Sequence, residues 1–268
     1  MSSSYPGGKG LAFRQIINQM PPHGLYIEAF LGSGAVLRNK RPAAGNIGIE
    51  IDAAVIAEYR SEFDAIPNLQ VIHGDALEIL SGTYLPGDTL VYCDPPYLLE
   101  TRSQQRGIYQ YEFMTEDEHA GLLGMLKRLP CMVAISGYWS ELYGQALRKW
   151  RCCSYNTITR GGGQVEEFLW MNYPEPMALH DYGWLGEDYR ERERIKRKQK
   201  RWRERLRKMD RLERLAMMSV LGDILPTDAA VGSGQPTPEM AMLANNVLFG
   251  DARRRRTPEM AMLDRKAE

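Results

Sequence analysis

The 268-residue chain is poor in several features that would classify it quickly. It has four cysteines, at 93, 131, 152 and 153, and none stands at metal-ligand spacing. That argues against a zinc module or a disulfide-stapled secreted domain, and a reducing cytosol is the expected compartment. No apolar run approaches the ~18 residues of a membrane span, and the opening MSSSYPGGKG has no hydrophobic signal region. Charge of one sign is also lacking. Lys and Arg number 34 against 34 Asp and Glu, so the overall charge announces no polyanionic partner. The Gly-rich turn at Phe30–Gly34 lacks the full dinucleotide pattern, and no Lys-Ser/Thr follows it to serve a nucleoside triphosphate.

What the chain does have is enough apolar material, 44% of its residues, for one sizeable core with an appendage. LYIEA (25–29) reads as a strand, followed by the turn FLGSG and a helical pattern. NIGIEID (46–52) is a second strand, followed by the helical pattern AAVIAEYRSEF (53–63). LQVIHGDAL holds a third strand ending at Gly74-Asp75, and DTLVYCDPPY a fourth ending at Asp94. TEDEHAGLLGMLKRL is a helix with Thr115 as N-cap and Glu118 three residues on. PCMVAISGY is a fifth strand, WSELYGQALRKW a helix, and CCSYNTIT and VEEFLWMNY two late strands. Strands alternating with helices at this spacing predict an α/β fold, a mostly parallel sheet with helices on both faces.

Ligands of such sheets sit at the carboxyl ends of the strands. Gly32 and Gly34 follow the first strand, Glu50 the second, Asp75 the third, Asp94 the fourth and Ser136-Gly137-Tyr138 the fifth. A Gly-rich turn lets backbone approach a ligand closely. An acid at the end of the second strand is the usual partner of ribose hydroxyls, and Glu50 stands closer to that end than Asp52. A cofactor bearing a nucleoside is therefore expected. Asp94-Pro95-Pro96-Tyr97 is either a simple strand exit or an active-site wall. Two prolines fix two φ angles and remove two donors, which leaves carbonyl acceptors in a rigid corner. With the Asp94 carboxylate and the flat Tyr97 ring, the corner suits an exocyclic amine on an aromatic base.

After Tyr182 the composition changes. Glu187–Arg214 holds 14 Lys/Arg against 7 Asp/Glu, and no Gly or Pro interrupts 187–221. This reads as a charged helix with a thin apolar stripe of Ile195, Trp202, Leu206, Met209 and Ala216. Three uses fit it: a solvated helix with one docking edge, a nucleic-acid contact, or a subunit contact that would make a homodimer. Beyond Pro226 the chain reads as a flexible tail in which TPEMAML occurs twice, at 237–243 and 257–263. The expected organisation is thus a catalytic domain over 1–182, a basic helical extension over 183–225 and a tail over 226–268.

YPGGK (5–9), FLGSG (30–34), GIEID (48–52), GDA (74–76) and DPPY (94–97), in this order, resemble the N6-adenine DNA methyltransferases of the Dam-like class. The short forms found in phages and mobile elements are the most similar. The resemblance extends through LLETRSQQRGIYQYEF, ISGYWSELY and EEFLWMNY, and covers roughly residues 1–174. It implies a Rossmann-like methyltransferase fold, S-adenosylmethionine as cofactor, and a prokaryotic or phage-infected cell. By the same resemblance Tyr5, Gly7, Gly8 and Lys9 would close over the methionine end, and Phe30, Gly32 and Gly34 would line the cofactor. Glu50 would hold the ribose, and Asp75 would lie near the cofactor's adenine. Asp94 and the Pro95 carbonyl would accept from the target N6, and Tyr97 would stack on the flipped base of double-stranded DNA.

The chain departs from larger members in one respect. Only 76–89 separates the third and fourth strands, so no sizeable recognition domain fits there. Recognition is then expected from Thr101, Arg102, Gln104, Gln105, Arg106, Tyr109 and Tyr111, and from Arg160 in TRGGGQ, because Arg and Gln read base edges and Arg binds phosphate. The same chemistry on RNA, a cytosine-N4 methyltransferase, and a nonenzymatic nucleic-acid-binding protein on the same scaffold are the competing readings. No metal is expected.

Overall fold

The structure, a computed structural model, describes residues 12–98, 115–158 and 163–224. Tyr5, Gly7, Gly8, Lys9, Thr101, Arg102, Gln104, Gln105, Arg106, Tyr109, Tyr111 and Arg160 lie outside the described residues, as does the tail over 226–268.

Five strands run parallel: β1 (Leu25–Ala29), β2 (Gly45–Glu50), β3 (Leu69–His73), β4 (Thr89–Cys93) and β5 (Met132–Gly137). Two more, β6 (Arg151–Ile158) and β7 (Gln164–Met171), form an antiparallel pair, and β7 pairs antiparallel with β5. The sheet order is β3-β2-β1-β4-β5-β7-β6. This is the expected mostly parallel sheet, ended on one side by a reversed hairpin.

The sheet is buried on both faces, as near-continuous apolar runs in parallel strands require. Tyr26, Tyr92, Ala134 and Leu169 point to one face and pack with α1 (Phe13–Ile17), α2 (Ala35–Asn39), α3 (Ala53–Glu58) and α4 (Arg60–Asp64). Ile27, Val91, Val133 and Trp170 point to the other and pack with α5 (Ala76–Gly82), α6 (Glu116–Leu126) and α7 (Glu141–Ala146). The helix starts follow capping chemistry. Thr115 and Glu118 form the expected reciprocal box at α6, and Ser140 caps α7 through Tyr143 N.

Three expectations need correction. β2 ends at Glu50, and Asp52 lies beyond it as the N-cap of α3, accepting from Ala54 N at 2.8 Å. The helical pattern over 53–63 is two short helices that divide at Tyr59. The basic extension is likewise two helices, α8 (Tyr189–Lys208) and α9 (Arg211–Ile224). Met209 is extended (φ −72°, ψ 145°), and Asp210 caps α9 by accepting from Glu213 N at 2.9 Å. The Arg214 guanidinium donates to the Leu206 and Met209 carbonyls, satisfying the end of α8. The stripe from Ile195 to Ala216 is therefore not one continuous edge.

The segment after β7 runs back across α1 and α2 and roots the extension. Asn18 donates to the Trp184 carbonyl at 2.7 Å, and the Trp184 indole to the Asn39 carbonyl at 2.9 Å. Phe13 meets Trp184 edge-on at 5.0 Å, and Lys196 of α8 lies 4.8 Å over the Trp184 ring. His180 stacks on buried His23 at 3.8 Å.

The close approach of β2 to the loop after β1 requires a glycine. A Cβ at Gly48 would stand 2.7 Å from Leu31 Cδ2. Gly48→Ala is expected to lose about 1–3 kcal/mol through overpacking. In urea unfolding, adding Leu31→Ala should make the double variant lose less than the two single losses together. Additive losses would mean that the two residues do not meet as described.

Candidate active site

Strand order changes direction at β1. The chain steps from β1 to β2 and β3 on one side, then returns to place β4 and β5 on the other. Segments leaving β1 and β4 therefore flank a crevice at the carboxyl ends, the topological switch point where such sheets bind ligands. Phe30–Gly34 leaves β1 and Asp94–Tyr97 leaves β4. The two stretches singled out in the sequence are the two walls of this crevice.

The β1 wall is a left-handed turn. Phe30, Gly32 and Gly34 have φ of 61°, 50° and 63°. Phe30 is unusual there, since a side chain in this region costs about 1–3 kcal/mol. Backbone bonds hold the turn, from Leu31 N to the Ile49 carbonyl (2.9 Å) and from Gly34 N to the Leu31 carbonyl (2.8 Å). Glycine at 34 answers two demands, because a Cβ would also stand 2.8 Å from the Phe63 ring. Glu50, buried at the end of β2, ties the wall down. Its Oε2 accepts from Gly32 N at 2.7 Å and its Oε1 from Asp52 N at 3.0 Å. Burial raises its pKa above the usual carboxylate range, against the lowering effect of these N–H donors. Asp75 follows β3 and caps α5, with Oδ1 accepting from Leu77 N and Glu78 N.

Gly34 has no side chain with which to cap α2. Glu28, inside β1, does so instead, accepting from Leu37 N at 2.7 Å and from the Tyr26 hydroxyl at 2.9 Å, both on Oε2. Glu28 is 3% exposed, and burial raises its pKa from 4.5 to about 8. Nothing in the strand-end pattern singled it out.

The β4 wall is a polar network under a rigid corner. Asp94 Oδ1 accepts from the Ser136 hydroxyl at 3.0 Å and from the Tyr97 hydroxyl at 3.2 Å. Ser136 Oγ also bonds the Tyr92 hydroxyl at 2.8 Å. Tyr97 reaches a second carboxylate, Glu167 Oε2, at 3.1 Å. Glu167 accepts in addition from Thr157 Oγ1 at 3.1 Å and from the Tyr155 hydroxyl at 3.3 Å. Burial and the two carboxylates, Asp94 and Glu167, hold the Tyr97 phenol neutral by raising its pKa well above 10. The ring of Tyr97 is met edge-on by Tyr138 at 4.5 Å.

Glu167 escaped the strand-end reading for a topological reason. Its strand runs the other way, so the beginning of β7 stands beside the ends of its parallel neighbours. Among the described residues no cluster of three His, Cys, Asp or Glu side chains could hold a metal.

No protein-family profile and no curated protein matches the chain. Solved structures resemble it distantly. A dimethyladenosine transferase from Plasmodium falciparum is 14% identical, with 63% of each chain covered and a TM-score of 0.40. TrmN from Thermus thermophilus is 15% identical over 60% of this chain and 46% of that one (TM-score 0.41). Precorrin-6y C5,15-methyltransferase from Geobacter metallireducens is 12% identical over 59% of this chain and 86% of that one (TM-score 0.39). At these scores the likenesses carry no argument about what this chain binds or does.

Glu28 makes stability depend on pH. A carboxyl whose folded pKa is raised favours the folded state most below its unfolded value, and that contribution is lost as pH rises toward the folded value. The window here runs from 4.5 to about 8. Lys40, lowered to about 7 by burial, titrates in the opposite sense, so the wild type must be compared with Glu28→Gln. Between pH 5 and pH 8.5 the wild type should lose roughly 2–4 kcal/mol more than Glu28→Gln in urea unfolding. Parallel stability profiles would show Glu28 to be ionised in the folded protein at neutral pH.

Proposed function

We propose that this chain transfers a methyl group from S-adenosylmethionine to N6 of adenine in double-stranded DNA, with the target nucleotide flipped out of the stack. The observation that carries the reading is the pairing of the two walls. A Gly-rich turn tied to a buried strand-end acid stands across the switch point from an Asp-Pro-Pro-Tyr corner whose carboxylate is fixed by two hydroxyls.

The residues of the β1 wall suit the cofactor. Glu50 accepts backbone N–H groups from Gly32, Asp52 and Ile51, and a carboxylate offers about four acceptor sites, so the group retains acceptor capacity for a ribose hydroxyl. Gly32 presents backbone without a side chain beside it. When bound, S-adenosylmethionine supplies an activated sulfonium methyl group.

The other residues orient the acceptor. An aromatic amine is a weak nucleophile because its lone pair is delocalised into the ring. The Asp94 carboxylate and the Pro95 carbonyl would accept its two hydrogens, localise the lone pair and aim it into the crevice. Orientation of this kind supplies much of the acceleration. Asp94 also stabilises the positive charge that develops on nitrogen, and the proton leaves afterwards. Tyr97 gives the base a face to lie against, and Glu167, through the Tyr97 hydroxyl, fixes the tilt of that face. Flipping is needed because the amine is otherwise paired inside the duplex.

The deciding assay uses labelled S-adenosylmethionine with unmethylated duplex DNA, denatured DNA or RNA, followed by digestion to nucleosides. N6-methyladenine from duplex DNA is expected. Label in RNA alone, or as N4-methylcytosine, would overturn the substrate assignment. Asp94→Ala should lower kcat by more than about 10³ while cofactor affinity in calorimetry stays within a few fold. Glu167→Gln should lower kcat by roughly tenfold without moving the KM for cofactor, and should cost little more in a Tyr97→Phe background. Independent losses would remove Glu167 from the positioning role.

A further inference from the structure

The charge of this chain is segregated rather than balanced. Residues 1–182 hold 14 Lys/Arg against 20 Asp/Glu. Helix α8 holds 12 Lys/Arg against three Glu in 20 residues, and none of its residues is buried. A helix of that length is about 30 Å long. Two of its three acids, Glu191 and Glu193, stand in the first two turns and pair with Arg194 and Lys196. From Arg197 to Arg203 there is no acid at all.

A solvated structural helix does not need this composition. Twelve like charges on 20 residues repel one another, and pairs at i,i+4 such as Arg197–Arg201 and Lys196–Lys200 each cost a few tenths of a kcal/mol. Interleaved Glu would relieve that repulsion, and only Glu204 is present beyond the second turn. The apolar edge is narrow. Ile195 and Leu206 are partly covered by the chain itself, and Trp202 is 48% exposed. Within α8 that is too little apolar surface for a helix lying in a lipid interface, and the exposed apolar residues of α9, such as Leu212, Met218 and Ile224, lie beyond the break at Met209. The basic residues instead flank the edge on both sides along the whole helix, and α8 is rooted on the domain through Trp184.

We infer that α8 is a phosphate-binding arm for duplex nucleic acid, separate from the crevice, which draws a polyanion to an otherwise acidic domain. A duplex presents one charge per ≈1.7 Å of axis in two ridges, and a helix with basic flanks can neutralise both. As a phosphate-binding arm α8 supplies affinity common to all sequences, and base choice is left to other residues.

The test is binding, read without methyl transfer, so that its outcome is independent of the proposed activity. Full-length Asp94→Ala protein is titrated against fluorescein-labelled 24-base-pair duplexes of several unrelated sequences. Anisotropy is followed from 50 to 300 mM KCl. The comparison protein adds R197Q, K198Q, K200Q, R201Q, R203Q and R207Q, and keeps Lys196, which anchors the helix on Trp184. Gln keeps helix propensity close to that of Lys and Arg, and circular dichroism confirms an intact helix. The expected result is at least a tenfold weaker complex at 100 mM KCl for every sequence. The slope of log K against log[KCl] should flatten by about 5, since six lost phosphate contacts remove about 0.9 each. An unchanged slope and affinity would overturn the inference. So would wild-type binding to phosphatidylserine vesicles that the six substitutions abolish while leaving duplex affinity intact.

Discussion

The site depends first on one register. Ala29 of β1 lies beside Cys93 of β4, so the next residue of each strand leaves the sheet at the same level. Phe30 and Asp94 therefore begin two walls of one crevice, although 64 positions separate them in sequence. A slip of one residue would exchange the faces of every side chain on β4. Tyr92 would turn toward the face that holds Val91 and Cys93, and its bond to Ser136 would be lost. The burial of β4 on both faces makes such a slip costly, and the shape of the site rests on that apolar packing.

Within this frame three buried acids shape the crevice, each in a different way. Glu28 caps α2 from inside a strand, because the glycine that the turn requires cannot do so. Glu50 fastens the turn to β2. Glu167 receives three hydroxyls, two from β6 and one from the corner. Burying a carboxyl is unfavourable unless donors meet it or it takes a proton. Glu28 is met by two donors on one oxygen and still has its pKa raised to about 8. Burial therefore outweighs the hydrogen bonds at that position and shifts Glu28 toward its protonated form.

The parallel strands and their end residues were legible in the sequence because both signals are local. An apolar run followed by Gly or Asp identifies a strand and its exit without knowledge of its neighbours. Thr115 with Glu118 marked a helix start for the same reason. Glu28 and Glu167 were not legible. Glu28 sits inside an apolar strand, and only the fold supplies its partner Leu37. Glu167 acts at the beginning of its strand, and only the antiparallel pairing with β5 turns that beginning toward the crevice. The break at Met209 was written in the sequence. Asp210 with Glu213 is a capping signature, but the strong helix formers around it concealed the interruption.

Under the proposed function, holding a base and tuning a carboxylate become one problem at Tyr97. Its hydroxyl has one proton and stands 3.2 Å from Asp94 and 3.1 Å from Glu167. It can donate fully to only one of them. In the proposed reaction, donation to Asp94 would draw electron density from the oxygen that accepts the amine hydrogen and make the carboxylate a poorer acceptor. Donation to Glu167 leaves Asp94 richer and still anchors the ring. The donors Thr157 and Tyr155 already satisfy Glu167 in part, which weakens its hold on the Tyr97 proton. Thus β6 and β7, remote from both walls in sequence, adjust the electron density at the β4 wall. Under the proposed function, that coupling would give the reversed hairpin a chemical role beyond closing the edge of the sheet.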